Sequence, residues 1–286
     1  MTKLWAISDL HVGYTANLKA LGTIEPHLDD WLMVAGDVGE SPIHLEQCLD
    51  VLQPKFKKLI WVPGNHELYT LPKDPCTLVG EERYLHYVEI CRKRNVITPE
   101  EPYIPWPEDP SILLVPLFLF YDYSFAPDGM NPITAKAWAL EDGLICNDEN
   151  YIQPTPHKSF EAWCHERLRY SKARLDEIPP HQRLVLINHY PLRGDLVFIP
   201  RVPRFRIWCG TQATENWHLD YPVEVAVSGH LHVRSTQWRD GVRFEEVSLG
   251  YPKHWQESQG PQHYLRQILP NPFPKNFFST APVWHR

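Results

Sequence analysis

Short apolar runs alternate with amphipathic stretches through the first half of the chain, the pattern of strands alternating with helices. Residues 3–8 read as a strand, followed by a polar loop, and residues 31–35 as a second strand. Ser41-Pro42 opens a helix, with Ser41 at the N-cap and Pro42 at the first helical position; Ile43, Leu45, Leu49 and Leu52 supply its apolar face. Residues 59–62 form a third strand, stopped by Pro63-Gly64. A helix follows over 81–94, with Tyr84, Val88 and Cys91 on one face, and then a buried strand over 112–119. Between residues 121 and 158 the periodicity weakens while Pro, Asp and Asn accumulate, which predicts an irregular insert. A helix over 159–176 and strands over 184–188, 223–228 and 242–247 complete the pattern. From Tyr251 the chain is rich in Pro and aromatics and is expected to wrap over the rest without regular structure. No linker separates two cores, so the pattern predicts one α/β domain over residues 1–286.

Composition adds limits. The chain has 286 residues, enough for a substantial core without cross-links, and at 43% hydrophobic and 22% charged it is ordinary for a globular protein. The longest apolar run, residues 112–121, is broken by Pro116 and too short to span a bilayer, which argues against a membrane partner. Leu4-Trp5-Ala6-Ile7 meets an acidic residue too soon to be a signal-peptide core, so a cytoplasmic location is expected. The net charge of -7 argues against nucleic acid as the main partner. The six cysteines show no C-x-x-C pair and are expected to be buried and reduced. Neither a G-x-S-x-G, a Walker A loop nor a G-x-G-x-x-G is present. His165-Glu166 lacks the second histidine of H-E-x-x-H.

Candidate chemistry gathers at the predicted strand ends, where an open α/β sheet places its ligands. The successive motifs are Asp9-Leu10-His11, Gly36-Asp37-Val38-Gly39, Gly64-Asn65-His66-Glu67, Asn188-His189-Tyr190-Pro191 and Gly229-His230-Leu231-His232. Together they bring Asp9, His11, Asp37, Asn65, His189, His230 and His232 toward one edge. Carboxylate, imidazole and amide oxygen without thiolate suit Mn, Fe or Zn. Seven such groups exceed the needs of one ion but fit two divalent ions sharing a bridge, for which Asp37, alone in its turn, is the candidate. Two ions about 3.5–4 Å apart can clamp the attacking and leaving oxygens of an in-line displacement at phosphorus.

In all five blocks and their order, from Asp9 to His232, the chain resembles the calcineurin-like metallophosphoesterase superfamily. The resemblance implies a two-sheet β-sandwich flanked by helices and a hydrolase with two metal ions. It assigns Asp9, His11, Asp37 and His232 to one ion and Asp37, Asn65, His189 and His230 to the other. It also makes His66 the group that stabilises the transferring phosphoryl and helps protonate the leaving group. Glu67 is expected to act as a hydrogen-bond acceptor behind the ligands.

Leu4–Ile7 with Ser8-Asp9-Leu10-His11, Ile60-Trp61-Val62-Pro63-Gly64-Asn65-His66-Glu67-Leu68, Tyr121-Asp122-Tyr123-Ser124-Phe125, Ala162-Trp163-Cys164-His165-Glu166-Arg167 and the stretch from Asp240 to Ser248 are more particular. They are similar to the phosphopantetheinyl hydrolase subfamily, which implies removal of 4'-phosphopantetheine from holo acyl carrier protein as substrate. A phosphodiesterase or nuclease acting on nucleotides or nucleic acid is the rival reading, and a scaffold without catalysis a third. Arg193, Arg201, Arg204 and Arg206 share a loop in which Asp195 is the only acid. That loop could bind the phosphodiester or steer an acidic carrier protein; the arginines could equally pair with the protein's own carboxylates.

Overall fold

The structure, a computed structural model, describes residues 1–274 and 277–285. In chain order its strands are β1 (Leu4–Ile7), β2 (His27–Ala35), β3 (Phe56–Val62), β4 (Ile104–Trp106), β5 (Asp109–Pro116), β6 (Arg183–Ile187), β7 (Val223–Ser228), β8 (Ser235–Arg239), β9 (Val242–Glu246), β10 (Arg266–Leu269) and β11 (Val283–Trp284). The helices are α1 (Thr15–Gly22), α2 (Pro42–Leu52), α3 (Gly80–Lys93), α4 (Pro132–Leu140), α5 (Asp148–Tyr151), α6 (Phe160–Asp176) and α7 (Trp217–Asp220).

Two sheets stack face to face with helices outside them. One runs β10-β1-β2-β3 and the other β11-β8-β9-β7-β6-β5-β4. β1, β2 and β3 are mutually parallel, as are β5, β6, β7 and β9; antiparallel strands close both edges of the larger sheet and the β10 edge of the smaller, whose other edge is β3. Period-two alternation decides what fills each layer. Leu4, Ala6, Met33, Ala35, Ile60 and Val62 from the first sheet meet Ile112, Leu114, Val185, Ile187, Val225 and Val227 from the second. The intervening residues Leu32, Val34, Leu59 and Trp61 face the other way, into a core shared with Leu45 and Leu49 of α2 and Tyr84 and Val88 of α3. Because the parallel strands run alike within each sheet, their C-terminal ends and the loops that follow share one rim.

Besides the unpredicted β4, β8 and α7, the structure departs from the sequence expectations in four places. The predicted polar loop after β1 contains α1, whose buried Asn17 donates to Leu10 O (2.7 Å) and Gly250 O (3.0 Å). Ser41 precedes α2 as expected but makes no capping bond; its hydroxyl donates to Asp74 instead (3.1 Å). Ser159 does cap α6, accepting from Ala162 N. The insert at 121–158 is less irregular than its composition suggests. It holds α4, started by an Asn131–Thr134 capping box, and α5. The Pro-rich tail from residue 251 supplies two edge strands, β10 beside β1 and β11 beside β8, because edge positions ask few residues to pair.

All six cysteines are free, five buried and Cys76 half-buried. Among the described residues no helix is long and apolar enough to cross a membrane.

Candidate metal centre

Each motif leaves its strand through a bent turn at the common rim. Asp9, His11, Asp37, His230 and His232 have φ of 54°, 42°, 55°, 71° and 54°, the left-handed region that side chains with a Cβ normally avoid. Five such residues at one rim are backbone strain concentrated at a functional site. Gly64 and Gly229 permit the close approach. A Cβ on Gly64 would run into the Asp37 carboxylate, and one on Gly229 into Ser8 and the Asp9 carboxylate.

The first half of the site forms around Asp9. Its Oδ2 accepts from Ser8 Oγ (2.5 Å), Ser248 Oγ (2.7 Å) and His230 N (3.0 Å), which turns Oδ1 inward. Oδ1 lies 2.8 Å from His232 Nε2, and that nitrogen lies 3.3 Å from His11 Nε2. In the second half, His189 donates from Nδ1 to Ala35 O (2.8 Å), which fixes its tautomer and leaves Nε2 facing Asp37 Oδ2 at 3.4 Å. Asn65 uses its amide nitrogen on Asp148 (2.9 Å) and Tyr69 OH (3.3 Å), so its Oδ1 turns toward the same space.

The donor set fits cations. Asn65 Oδ1, His189 Nε2 and His230 Nε2 are all buried with no hydrogen-bond partner among the described residues, an expensive arrangement unless something electropositive sits among them. Two clusters lie within ligating reach, Asp9–His11–His232 and Asp37–His189–His230, and a third, His11–Asp37–His66, places Asp37 between them. Electrostatics agree. Burial pushes His11 and His230 down to about 3, so both are neutral imidazoles with a lone pair to give. Burial also opposes charge on His189, but Asp37 outweighs it and holds that ring up at about 10. The Asp37 carboxylate thus favours positive charge beside that ring.

A family model for calcineurin-like phosphoesterases matches residues 2–234 of this chain. The chain belongs to the calcineurin-like phosphoesterase family. It is a hydrolase of phosphoesters, and that family implies divalent metal ions at the clusters just described. It is 45% identical over 272 residues to the acyl-carrier-protein phosphodiesterase PptH of Mycobacterium tuberculosis, covering 94% of this chain and 84% of that protein. The crystal structure of phosphopantetheinyl hydrolase (PptH) from Mycobacterium tuberculosis superimposes with a TM-score of 0.88 at 44% identity, covering 95% of this chain and 97% of that one.

His66, the expected acid of this calcineurin-like phosphoesterase, stands beside the clusters with Nε2 3.8 Å from Asp37 Oδ2. Its Nδ1 is bonded to Glu40 Oε1 at 2.9 Å, and its ring stacks on Tyr69 at 4.6 Å. Burial works against charge here, but Asp37 and Glu40 outweigh it and hold the imidazole up at about 9. Glu67 accepts from the backbone N–H of Asp37 (3.1 Å), Val38 (2.8 Å) and Gly64 (2.9 Å), clipping two motif turns together as expected of a residue behind the ligands.

Sequence reasoning passed over several partners. Glu40 lies three residues past Asp37 in the same turn, and that proximity was a usable signal. Asp148 of α5 orients Asn65 from a distant segment, and no local pattern announces it. His254 Nδ1 meets His232 Nδ1 at 3.0 Å, and Tyr251 stacks on His11 at 4.3 Å; both come from the tail.

A pocket of about 360 Å³ opens from Asp37, Asn65, His66, His230 and His232 onto a wall that includes Ile145, Ile199, Val202 and Phe205. None of the four loop arginines lines it. Arg193 pairs with Asp195 (2.9 Å) and bonds Glu215 O (3.1 Å); Arg204 pairs with Glu141 (2.7 Å) and Asp142 (3.0 Å) of the insert. Arg206 donates to Gly194 O (3.2 Å), and Arg201 is exposed. The acids that engage Arg204 lie far away in sequence, which is why the loop looked cationic on its own.

Proposed function

We propose that this protein hydrolyses the phosphodiester joining 4'-phosphopantetheine to the serine of a holo acyl carrier protein. The reading is carried by 45% identity, across 94% of the chain, to a protein named for that phosphodiesterase activity. The pocket supports it: polar groups stand at one end, and an aliphatic and aromatic wall suits a slender pantetheine arm.

In this reading Asp9, His11, Asp37 and His232 hold one ion, and Asp37, Asn65, His189 and His230 the other. Mn or Fe is favoured and Zn is compatible with the donor set. A pair of divalent ions so held would supply positive charge at the phosphoryl oxygens and acidify a water for attack. The chain's own residues do the rest. His66, whose Nδ1 is bonded to Glu40, donates toward the oxygen on which charge develops and passes its proton to the departing serine oxygen. The P–O bond to serine breaks as one forms to the water oxygen, giving apo carrier protein with a free serine and 4'-phosphopantetheine. Ile145, Ile199, Val202 and Phe205 line the arm and exclude water beside it. Arg193 and Arg204, engaged with the protein's own acids, shape the loop that carries three of these four. Six free cysteines fit a reducing cytoplasm.

The test incubates metal-loaded protein with holo carrier protein, cyclic nucleotides and oligonucleotides and reads products by mass spectrometry. Conversion of holo to apo carrier protein, abolished by His66→Ala and by Asp37→Ala, is the expected result. Turnover of nucleotides alone would overturn the substrate assignment.

A further inference from the structure

Helix α4 turns its branched aliphatic side chains outward. Ala135 and Ala139 are buried, and Trp138 lies under the Arg204 guanidinium, 4.9 Å from the ring centre. The opposite face carries Ile133, Ala137 and Leu140 at i, i+4 and i+7, with Ile133 77% and Leu140 59% exposed. A solvent-facing helix normally reverses this arrangement. The stripe continues past the helix to Ile145, 68% exposed, which lines the catalytic pocket. Beside Leu140 and Ile145, a second cavity of about 420 Å³ is lined by Ala137, Leu144 and Trp208 together with the polar Lys136, Glu149 and Asn150, and it shares Ile145 and Cys146 with the catalytic pocket. Scattered exposed aliphatics such as Leu28 are ordinary; three on one 13-residue stretch, ending at the mouth of the site, mark a surface that something covers.

We infer that this face docks the protein portion of the substrate: an aliphatic patch of the carrier protein beside its modified serine rests on Ile133, Leu140 and Ile145. The inference builds on the proposed function. A serine-linked phosphodiester can enter the pocket only if the surface around that serine settles on the pocket's rim, and the stripe is continuous with that rim. A stripe at i, i+4 and i+7 is also the spacing with which one helix packs against another.

The experiment compares the parent protein with the Ile133→Ser/Leu140→Ser double variant, neither residue touching the catalytic pocket. Steady-state kinetics are measured on holo carrier protein and on bis(4-nitrophenyl) phosphate. The double variant should raise KM for the carrier protein about tenfold or more and leave kcat within about twofold, because two aliphatic side chains lose their burial. The small diester should be cleaved as by the parent, and Leu28→Ser should change neither substrate. A carrier KM within about twofold of the parent would overturn the docking face, as would an equal rise from Leu28→Ser or an equal loss on the small diester. Concentration-dependent dimerisation that the double variant abolishes, with carrier KM unmoved, would also overturn it by making a second copy the occupant. Turnover of holo carrier protein by the parent decides the underlying reading separately, before any variant is compared; its absence would overturn both.

Discussion

Replacing Glu40 by glutamine removes one negative charge while keeping an oxygen in place for His66 Nδ1. The bond is 2.9 Å long and the Glu40 side chain is only 22% exposed, so solvent screens it weakly. A hydrogen bond to a charged group contributes about 1.5–3 kcal/mol. At about 1.4 kcal/mol per decade of rate, Glu40→Gln should lower kcat on a serine phosphodiester about 10- to 100-fold, with KM within about twofold. The pH profile gives a second readout. If protonated His66 is the acid, rate falls as pH rises through its pKa. Glu40 is one of the groups holding that value up, so its neutralisation moves the alkaline limb to lower pH. The third readout is the leaving group. 4-Nitrophenolate departs without a proton, so the variant should lose much less on a 4-nitrophenyl diester than on a serine diester. Equal losses on both esters, with an unmoved alkaline limb, would refute the assignment of Glu40 as the residue that positions and charges His66.

Three further outcomes are expected. In the metal-free protein His189 carries a proton held by Asp37 at about 10, and metal ligation needs the neutral ring. Metal binding at pH 7 should therefore release protons and weaken as pH falls, measured by calorimetry in buffers of different ionisation enthalpy. Asp148→Ala removes the acceptor that orients the Asn65 amide (2.9 Å) and should cut affinity for one of the two ions about 10- to 100-fold, read as metal content per chain after dialysis. Trp163, fully buried against Phe118 and Phe120 at 5.5 Å and 5.0 Å between ring centres, should cost about 3–5 kcal/mol when truncated to alanine, measured by urea unfolding.

What could be read in advance divides along a physical line. Strands with apolar residues on both faces, such as Leu59-Ile60-Trp61-Val62, are visible because each sheet lies between the other sheet and a helix layer, so the run is continuous. The turns that carry the candidate ligands were visible because they sit immediately after those strands. α1 was missed because Thr15, Ala16 and Lys19 stand on its exposed side, and its anchor, Asn17, is a buried polar residue satisfied by Leu10, Gly250 and Trp255 outside the helix. β10 and β11 were missed because short edge strands need pairing partners more than they need pattern. Glu40 was legible in principle from its place beside Asp37, whereas Asp148, Ser248 and His254 reach the site through tertiary contacts alone.

The left-handed backbone at five proposed ligand positions sets stability against catalysis. Alanine at His230 would inherit a φ of 71° without the ligand that justifies it, whereas glycine accepts that conformation freely. His230→Gly should thus be about 1 kcal/mol more stable to urea unfolding than His230→Ala, although both lose the imidazole and both should abolish turnover. Glycine scanning of this rim offers inactive proteins that fold more securely than their alanine counterparts. Such proteins would be suited to holding an uncleaved substrate long enough for its complex to be seen.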